Sequence, residues 1–319
     1  MKQCLFVVCL LCFAVASAQE NRVIGQVVDA LTSQPLPYVN IVLEEQHKGT
    51  SAGAQGRFLF VLKGADTSAI LKFSFVGFKT EYINLGKLNN SRVVKMQPDV
   101  SALSEVQLYS ILNNNSEKIN DFRGKESIGL GNFSGGQFPS MVARYYARPE
   151  NFKAGCFLEE VEVRFFATDL NMNKKSKFRL RILEVGQNGK PAGDLLTSNL
   201  IIERRSNSFK TKIPLLQYRI PIPKEGFFVA VEHLFIKENE YIEKKDYKIY
   251  RENDTLLYDN FRVVKYLPVF KGVLEKKKHD FNSYFKDTNG WKKMNSLDNS
   301  HQVFKGEYPA PAFKITLTD

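Results

Sequence analysis

Short apolar runs separated by turn residues fill the segment from Arg22 to Met96 and restrict its fold more than any other feature of the chain. The runs read VIGQVV, YVNIVL, RFLFVL and ILKFSFVGF, and the segments between them include TSQPLP and GTSAGAQG. Valine, isoleucine and phenylalanine at alternate positions, in runs bounded by glycine and proline, are typical of antiparallel strands. Pro35 and Pro37 cannot donate to a strand ladder, so we expect them in a turn or at a sheet edge. This segment therefore predicts a small antiparallel β-sandwich.

Glycine, proline and aromatic residues follow one another along this segment in a characteristic order. The order is Gly25-x-Val27-x-Asp29, Pro35-Leu36, Val39 and Val42, Gly49-Thr50, Gly56-x-Phe58 and Phe75-Val76-Gly77-Phe78. It resembles the carboxypeptidase regulatory-like domain over residues 22–97. The resemblance implies a transthyretin-like β-sandwich of about seven strands, of a kind frequent at the N-termini of exported Bacteroidetes proteins, including TonB-dependent receptors. Gly53 and Ala54 stand where the family often has acidic and polar residues, which implies a changed hairpin loop within the same fold.

The N-terminus has the three parts of a secretory signal peptide. Met1 and Lys2 form a positive start, Leu5 to Val15 is almost continuously apolar, and Ala16-Ser17-Ala18 supplies the small residues that a signal peptidase requires. We therefore predict that residues 1–18 are removed. The alternative is a membrane anchor, but this run is shorter than the roughly 20 residues that a spanning helix needs. No later run reaches that length either, so we expect a mature chain that does not span the membrane and that lies in the periplasm, at the outer-membrane surface or in the medium.

The rest of the chain predicts a second, larger β-sandwich. We expect the first domain at residues 19–97, a linker rich in Asn, Ser and Gly at 98–140 with a short helix near 116–122, and a jelly-roll-like C-terminal domain at 141–319. The run Arg179 to Leu183 alternates charged and apolar residues, whereas Phe227 to Val231 is continuously apolar. This contrast predicts a strand with one solvated face beside a central strand. The overall fold class is thus all-β.

The sequence lacks the pattern of a zinc carboxypeptidase, so we expect no enzyme and no cofactor. Such a site needs three fixed ligands that usually begin with His-x-x-Glu, and none of the four histidines is followed by Glu at that spacing. Gly49 to Gly53 satisfies G-x-S-x-G, but it lacks the strand-to-helix context that exposes the serine of a nucleophile elbow. Cys156 is the one cysteine outside the predicted signal peptide, and its strand-like surroundings predict a buried apolar residue.

Two groups of residues are candidates for binding in the C-terminal domain. Tyr284 and Trp291, in the stretch NSYFKDTNGW, could present aromatic faces to a sugar ring, or Trp291 could simply cover the core at a hairpin. The basic run Lys276, Lys277 and Lys278 could contact anionic envelope polymers, or it could be only solvated. The chain as a whole carries a formal net charge of +11. Three further basic pairs support this anion-binding hypothesis, namely Arg204-Arg205, Lys244-Lys245 and Lys292-Lys293.

The expected function is therefore that of a non-catalytic, exported binding or structural module of the cell envelope. Its partner would be an envelope glycan or an envelope protein, and an exported protein is not expected to meet nucleic acid. The alternative is a glycan-active enzyme or a carbohydrate-binding protein that uses the C-terminal sandwich. Glu160 and Glu162 lie on one face of a predicted strand and are the only paired carboxylates that favour the enzyme.

Overall fold

The computed structural model describes residues 20–63, 67–90, 92–99, 111–119, 122, 124–152, 155–168, 173–251, 254–276, 282–299 and 302–319. The predicted signal peptide, residues 1–18, lies outside the described residues. Most secondary structure of the described part consists of strands. The described part also contains helix α1 (Leu85–Asn90) and several short 3-10 turns. The predicted all-β fold class is confirmed. No helix within the described part has the length and apolar character of a membrane span.

Seven strands form the N-terminal sandwich. One sheet has the order β4-β1-β7 and the other the order β3-β2-β5-β6. A single cluster of buried apolar side chains lies between the two sheets. The strands are β1 (Glu20–Asp29), β2 (Asn40–Leu43), β3 (Lys48–Ser51), β4 (Arg57–Lys63), β5 (Ile70–Ser74), β6 (Glu81–Asn84) and β7 (Val93–Met96).

The alternation of β2 explains how this sandwich presents a second, polar face. Ile41 and Leu43 point into the core and are fully buried, so Asn40 and Val42 point to the opposite side of the sheet. The neighbouring strand β5 pairs Ser74 with Asn40 in the ladder. The outer face of the sheet β3-β2-β5-β6 is thus available to pack on another layer.

The remaining strands follow in the C-terminal part of the chain. They are β8 (Ser116–Ile119), β9 (Ser127–Leu130), β10 (Met141–Tyr146), β11 (Phe157–Arg164), β12 (Ser176–Val185), β13 (Pro191–Asp194), β14 (Leu200–Arg204), β15 (Lys210–Pro214), β16 (Phe227–His233), β17 (Glu240–Arg251), β18 (Asp254–Tyr266), β19 (Phe270–Glu275), β20 (Ser283–Asp287), β21 (Gly290–Lys293), β22 (Tyr308–Pro311) and β23 (Phe313–Thr318). The two long strands Glu240–Arg251 and Asp254–Tyr266 form a separate two-stranded sheet there. One layer of the C-terminal sandwich has the order β13-β12-β16-β10-β20-β21, with β14 also paired to β12. The other layer contains the sheets β15-β11-β23-β8 and β22-β19-β9.

Between β10 and β16 the chain crosses repeatedly between these two layers, as it does in double-sheet jelly rolls, with β12, β13 and β14 together in one layer. The chain passes from β10 to β11, back to β12, across to β15 and back to β16. A large apolar cluster fills the space between the layers and includes Cys156, which is 2% exposed. Burial raises the pKa of its thiol to about 11, so Cys156 is the inert apolar residue that its sequence context predicts. Strand β16 is buried along its whole length and is central, as predicted.

Three details differ from the sequence prediction. Residues 116–119, expected in a helix, form β8 on the edge of a sheet. Both β8 and β9 lie within residues 98–140, the segment that we predicted as a linker, and Leu130 of β9 is buried in the core. The polar face of β12 is not solvated at Arg179, because the N-terminal sandwich covers it there. Arg179 is only 1% exposed.

The outer face of the N-terminal sheet lies against the layer that contains β12, β16, β10 and β20, so the molecule has a further packed layer. Gly49 lies at a close approach, since a Cβ atom there would lie 2.9 Å from Cβ of Phe138. Its amide donates to the carbonyl oxygen of Gln137 at 2.7 Å. Across this contact, the amide of Ser51 on β3 donates to the carbonyl oxygen of Phe235, and the amide of Phe235 donates to the hydroxyl oxygen of Ser51. These hydrogen bonds link the two sandwiches.

Candidate functional site

Five side chains form one continuous row across the sheet that faces the N-terminal sandwich. In the ladder Arg179 lies opposite Glu232, which lies opposite Met141, which lies opposite Lys286, which lies opposite Trp291. Directly opposed residues of neighbouring strands point to the same face. We call these five residues the charged row. It runs through β12, β16, β10, β20 and β21, and its two ends have different surroundings.

At the Arg179 end, the charged row is buried beneath the N-terminal sandwich. The Nη1 atom of Arg179 donates to Oε2 of Glu232, and its Nη2 atom donates to the carbonyl oxygen of Tyr38. The Nε atom of Arg179 donates to Oδ1 of Asn199 at 2.7 Å. All three donor nitrogens of the guanidinium are therefore used, which is what burial of a charged group requires.

Glu232 connects this end directly to the N-terminal sandwich. Its Oε1 atom accepts a hydrogen bond from Nδ2 of Asn40 at 2.7 Å, and Oδ1 of Asn40 accepts one from the Ser51 hydroxyl at 3.0 Å. Burial by itself would raise the pKa of Glu232, but the guanidinium groups of Arg179 and Arg181 outweigh it and hold the pKa below its usual value. Glu232 is thus an ionised carboxylate whose partners come from both sandwiches.

At the Lys286 end, the charged row lies on the floor of an open cleft of about 590 Å³ between the two sandwiches. Val42, Lys72 and Tyr82 line it from the outer face of the N-terminal sheet, and Arg181 and Asp194 line it beside Lys286 on the other wall. Several hydroxyl and amide side chains complete the lining, namely Asn40, Ser74, Thr80, Ser140, Thr197, Thr288 and Asn289. The cleft is therefore polar, with both charges and neutral hydrogen-bonding groups.

Most charged groups of this cleft are paired within the protein. Arg181 forms a two-point contact with the carboxylate of Asp194, in which its Nε atom lies 2.8 Å from Oδ1. Lys72 pairs with Glu44 at 2.7 Å, and Asp287 pairs with Lys292 at 2.6 Å.

Lys286 differs from these groups. Within the described part of the chain, its ammonium has neither a hydrogen bond nor an ion pair, and its one close contact is the ring of Trp291, 5.7 Å from the centroid. Burial lowers the pKa of Lys286 to about 8, and the positive charges of Arg181 and Lys72 act in the same direction. Glu232 and Asp194 oppose the shift. Lys286 is thus a partly charged amine at neutral to mildly basic pH, directed into a cleft.

The two aromatic residues predicted to bind glycan belong to one apolar cluster on the sheet face that carries Lys286, but they differ in accessibility. Tyr284 is only 5% exposed, packs edge-on against Phe228 and donates its hydroxyl hydrogen to the carbonyl oxygen of Gly189 at 3.2 Å. Trp291 is half-buried against the same apolar cluster and stacks under Lys286. The ring of Tyr284 is therefore a packing element, whereas Trp291 borders Lys286; binding of glycan by the pair stays a prediction.

The basic residues of the second hypothesis are separated in the structure. Lys276 is exposed and lies 3.7 Å from Glu307, while Lys277 and Lys278 lie outside the described residues. Arg204, which we expected on a basic surface, is fully buried instead and donates to the carbonyl oxygen of Lys174. Binding of anionic polymers by the lysine run stays a prediction, without Arg204 as part of its surface.

Other sequence patterns also have structural roles. The serine of G-x-S-x-G, Ser51, is buried in the contact between the sandwiches. Glu160 and Glu162 pair with Lys212 and Lys210 of the adjacent strand. Among the residues that the structure describes, no group of three or more His, Cys, Asp or Glu side chains is arranged to hold a metal ion.

The N-terminal sandwich, which forms one wall of the cleft, is similar to a known protein family. The profile of the CarboxypepD_reg-like domain family matches residues 23–108. Residues 23–108 are a CarboxypepD_reg-like domain. This domain contributes Asn40, Lys72 and Tyr82 to the cleft and to the contact around Glu232. The resemblance predicted from the glycine and aromatic pattern is thereby confirmed.

The CarboxypepD_reg-like domain also has a curated relative. TonB-dependent receptor P3 of Formosa agariphila is 35% identical over 106 residues, which cover 33% of this chain and 10% of the receptor. The matched region therefore spans about a tenth of that relative's length.

Sequence reasoning missed Lys286 and its neighbours Arg181 and Asp194. One signal was present: Glu232 ends the otherwise apolar run FFVAVE, and a carboxylate in a buried central strand requires a cationic partner. The alternating arginines of β12 were the available partners. Their pairing with Glu232 depends on strand register, which the sequence alone does not give.

Proposed function

We propose that this chain is a non-catalytic, exported cell-envelope protein whose two sandwiches together form a binding module, with the partner held in the cleft between them. One observation carries the proposal. At its Arg179 end, internal partners seal the charged row. At the Lys286 end the row is open, and the described residues provide no hydrogen-bond acceptor for the ammonium of Lys286. A polar cleft with a few converging functional groups between two domains is the usual setting of a ligand site.

The location in the envelope is supported by two independent features. The N-terminal sequence has the pattern of a cleaved secretory signal, and the CarboxypepD_reg-like domain is similar to part of TonB-dependent receptor P3. We propose an envelope glycan or an envelope protein as the partner class.

The non-catalytic part of the proposal rests on how the reactive side chains are used. Ser51, Glu160 and Glu162 each have a partner that serves packing or strand pairing. Cys156 lies in the core with a raised thiol pKa.

A second candidate function is carbohydrate binding in the same cleft. Tyr82 favours it, because its side chain is 60% exposed and lines the cleft beside hydroxyl and amide groups. Exposed aromatic rings next to hydrogen-bonding side chains suit the apolar faces and hydroxyls of sugars. In this case Tyr82 replaces Tyr284 as the aromatic contact.

The experiment is a pull-down from envelope fractions and purified glycans with residues 19–319, at low and at high salt. Thr80 is exposed at the cleft, so Thr80→Trp fills its mouth, whereas Leu31→Trp places the same side chain at a position that is 73% exposed elsewhere on the N-terminal sandwich. We expect a partner that Thr80→Trp loses and Leu31→Trp retains. Retention that is equal in both variants would contradict a role of the cleft.

A further inference from the structure

Lys286 has unused hydrogen-bonding capacity at the floor of the cleft. A lysine ammonium carries three donors, and a charged group removed from bulk water is costly unless it is paired. The described residues offer its ammonium only the face of Trp291, 5.7 Å away. By contrast, Arg179 at the other end of the charged row uses all three of its donor nitrogens on protein acceptors.

The carboxylates near Lys286 are already paired with other cations. Asp194 accepts from Arg181, and Glu232 accepts from Arg179. On the opposite wall, the ammonium of Lys72 has Glu44 as its partner. Lys286 therefore faces Arg181 of β12, Asp194 of β13, Glu232 of β16 and Lys72 of β5, and this set leaves its positive charge without a partner.

Neutral hydrogen-bonding residues line the same cleft, and one of them, Thr288, has its hydroxyl 2.8 Å from Nδ1 of His47. The side chains of Ser74, Thr197, Thr288 and Asn289 line the cleft that contains Lys286 and Lys72. An oxyanion has several lone pairs and needs more than one donor when it leaves water. The combination of an unpaired ammonium with hydroxyl and amide groups matches this requirement.

We propose that Lys286 is the anchoring cation of an oxyanion site, which binds a carboxylate or a phosphate group of the ligand that enters the cleft. This inference rests on the proposed function, because it specifies the ligand chemistry of the same cleft. An anion bound here would replace the missing partner of Lys286 and relieve its repulsion with Lys72 and Arg181.

The test uses residues 19–319 and three probes: glucuronate, inorganic phosphate and the neutral sugar glucose. Binding is measured by titration calorimetry at pH 7 and constant ionic strength. Fluorescence of Trp291, the only tryptophan of the chain, reports events at Lys286. We expect saturable binding of glucuronate, phosphate or both, and weaker or no binding of glucose. The better anion identifies the source of the oxyanion as an acidic sugar or a phosphate group.

Three variants locate the site. Lys286→Met removes the charge and should weaken anion binding at least about tenfold. Lys286→Arg keeps a cation and should largely retain binding. Lys293→Met is the matched control, because Lys293 is an exposed lysine on the same strand as Trp291, and it should bind like the wild type. If Lys286→Met does not fold, the test compares the pH dependence of anion binding between the wild type and Lys286→Arg.

The pH dependence has a defined direction. An anion prefers protonated Lys286, so affinity should fall as the pH rises through about 8 in the wild type. In Lys286→Arg this fall should disappear, since arginine stays charged throughout that range.

Either of two results would overturn the inference: absence of saturable anion binding to the wild type, or equal binding to Lys286→Met. The proposed function is judged separately by the Thr80→Trp pull-down. A cleft-dependent partner without an anion site would refute only the present inference. Anion binding without a cleft-dependent partner would refute only the wider proposal.

Discussion

The two ends of the charged row lie on one face of one sheet, yet they differ in what covers them. At one end, Asn40 and Tyr38 of the N-terminal sandwich close over Arg179 and Glu232 and complete their hydrogen bonds. At the other end, the two walls separate and leave Lys286 in a cleft. What covers a charge therefore decides its role. A charge enclosed by both sandwiches fixes how they pack, whereas a charge in an open cleft can contact a ligand.

The sealed end is expected to specify the arrangement of the sandwiches rather than to add much net stability. Burying an ion pair costs solvation free energy that its attraction repays only with complete hydrogen bonding. Removing one partner, in contrast, leaves the other charge buried and unpaired. Variants at this end should therefore have larger effects than variants at the open end.

The largest effect is expected for Arg179→Met, which breaks the sealed end. Glu232 would remain buried without its cation, so we expect the free energy of unfolding to fall by about 3–5 kcal/mol. Urea denaturation followed by circular dichroism measures the change. Arg205→Met, at an exposed arginine, is the control and should change stability by less than about 0.5 kcal/mol. A loss for Arg179→Met below about 1 kcal/mol would mean that this end is not sealed.

Acid should weaken the C-terminal sandwich beneath the sealed end through His233, which follows Glu232 in β16 but points to the opposite face, against the ring of Phe270. His233 is fully buried with Nε2 3.1 Å from the Pro268 carbonyl oxygen, and burial lowers its pKa from 6.5 to about 4, although Glu232 opposes the shift. Between these values the unfolded chain binds more protons than the folded one. Stability is therefore complete above pH 6.5 and decreases as the pH falls towards 4, by up to about 3 kcal/mol. Unfolding at several pH values measures this loss, which should shrink in His233→Phe; an equal loss in that variant would assign it to other groups.

A smaller effect is expected for Trp291→Ala at the open end. Trp291 is half-buried, so we expect a loss of about 1–2 kcal/mol, less than the roughly 3–5 kcal/mol typical of a fully buried aromatic side chain. Thermal or urea unfolding gives the value. A loss of about 3–5 kcal/mol would show that Trp291 is as fully buried as Arg179, and the two ends of the charged row would then not differ in burial.

The sequence predicted the fold class well because it depends on local patterns. Alternating apolar residues and turn residues identify strands and a sandwich, and the central position of β16 follows from its continuous apolar run. The alternation of β12 was misinterpreted as a solvated face. Periodicity shows that two faces differ, but it does not show what covers the polar one. Here the cover is Tyr38, 141 residues away in the chain from Arg179.

The site was predictable only in part. Trp291 was selected because it is the single tryptophan beside a turn; its ring lies under Lys286, and its binding of a ligand stays a prediction. Lys286 has no distinctive sequence signal, since it is one lysine among many in a β-rich chain. Its place in the charged row depends on the register of five strands. That the described residues leave it without an ion pair depends on which carboxylates Arg179 and Arg181 contact.

A double-mutant cycle on Asn40 and Glu232 tests most directly whether the two sandwiches are held together around the cleft. These side chains come from different sandwiches and are 2.7 Å apart. Stability is measured for the wild type, Asn40→Ala, Glu232→Ala and the double variant. We predict a coupling free energy of about 1–3 kcal/mol, because the two residues share one buried hydrogen bond. Additivity within about 0.5 kcal/mol would mean that the contact does not exist in solution and would contradict the cleft on which the account rests.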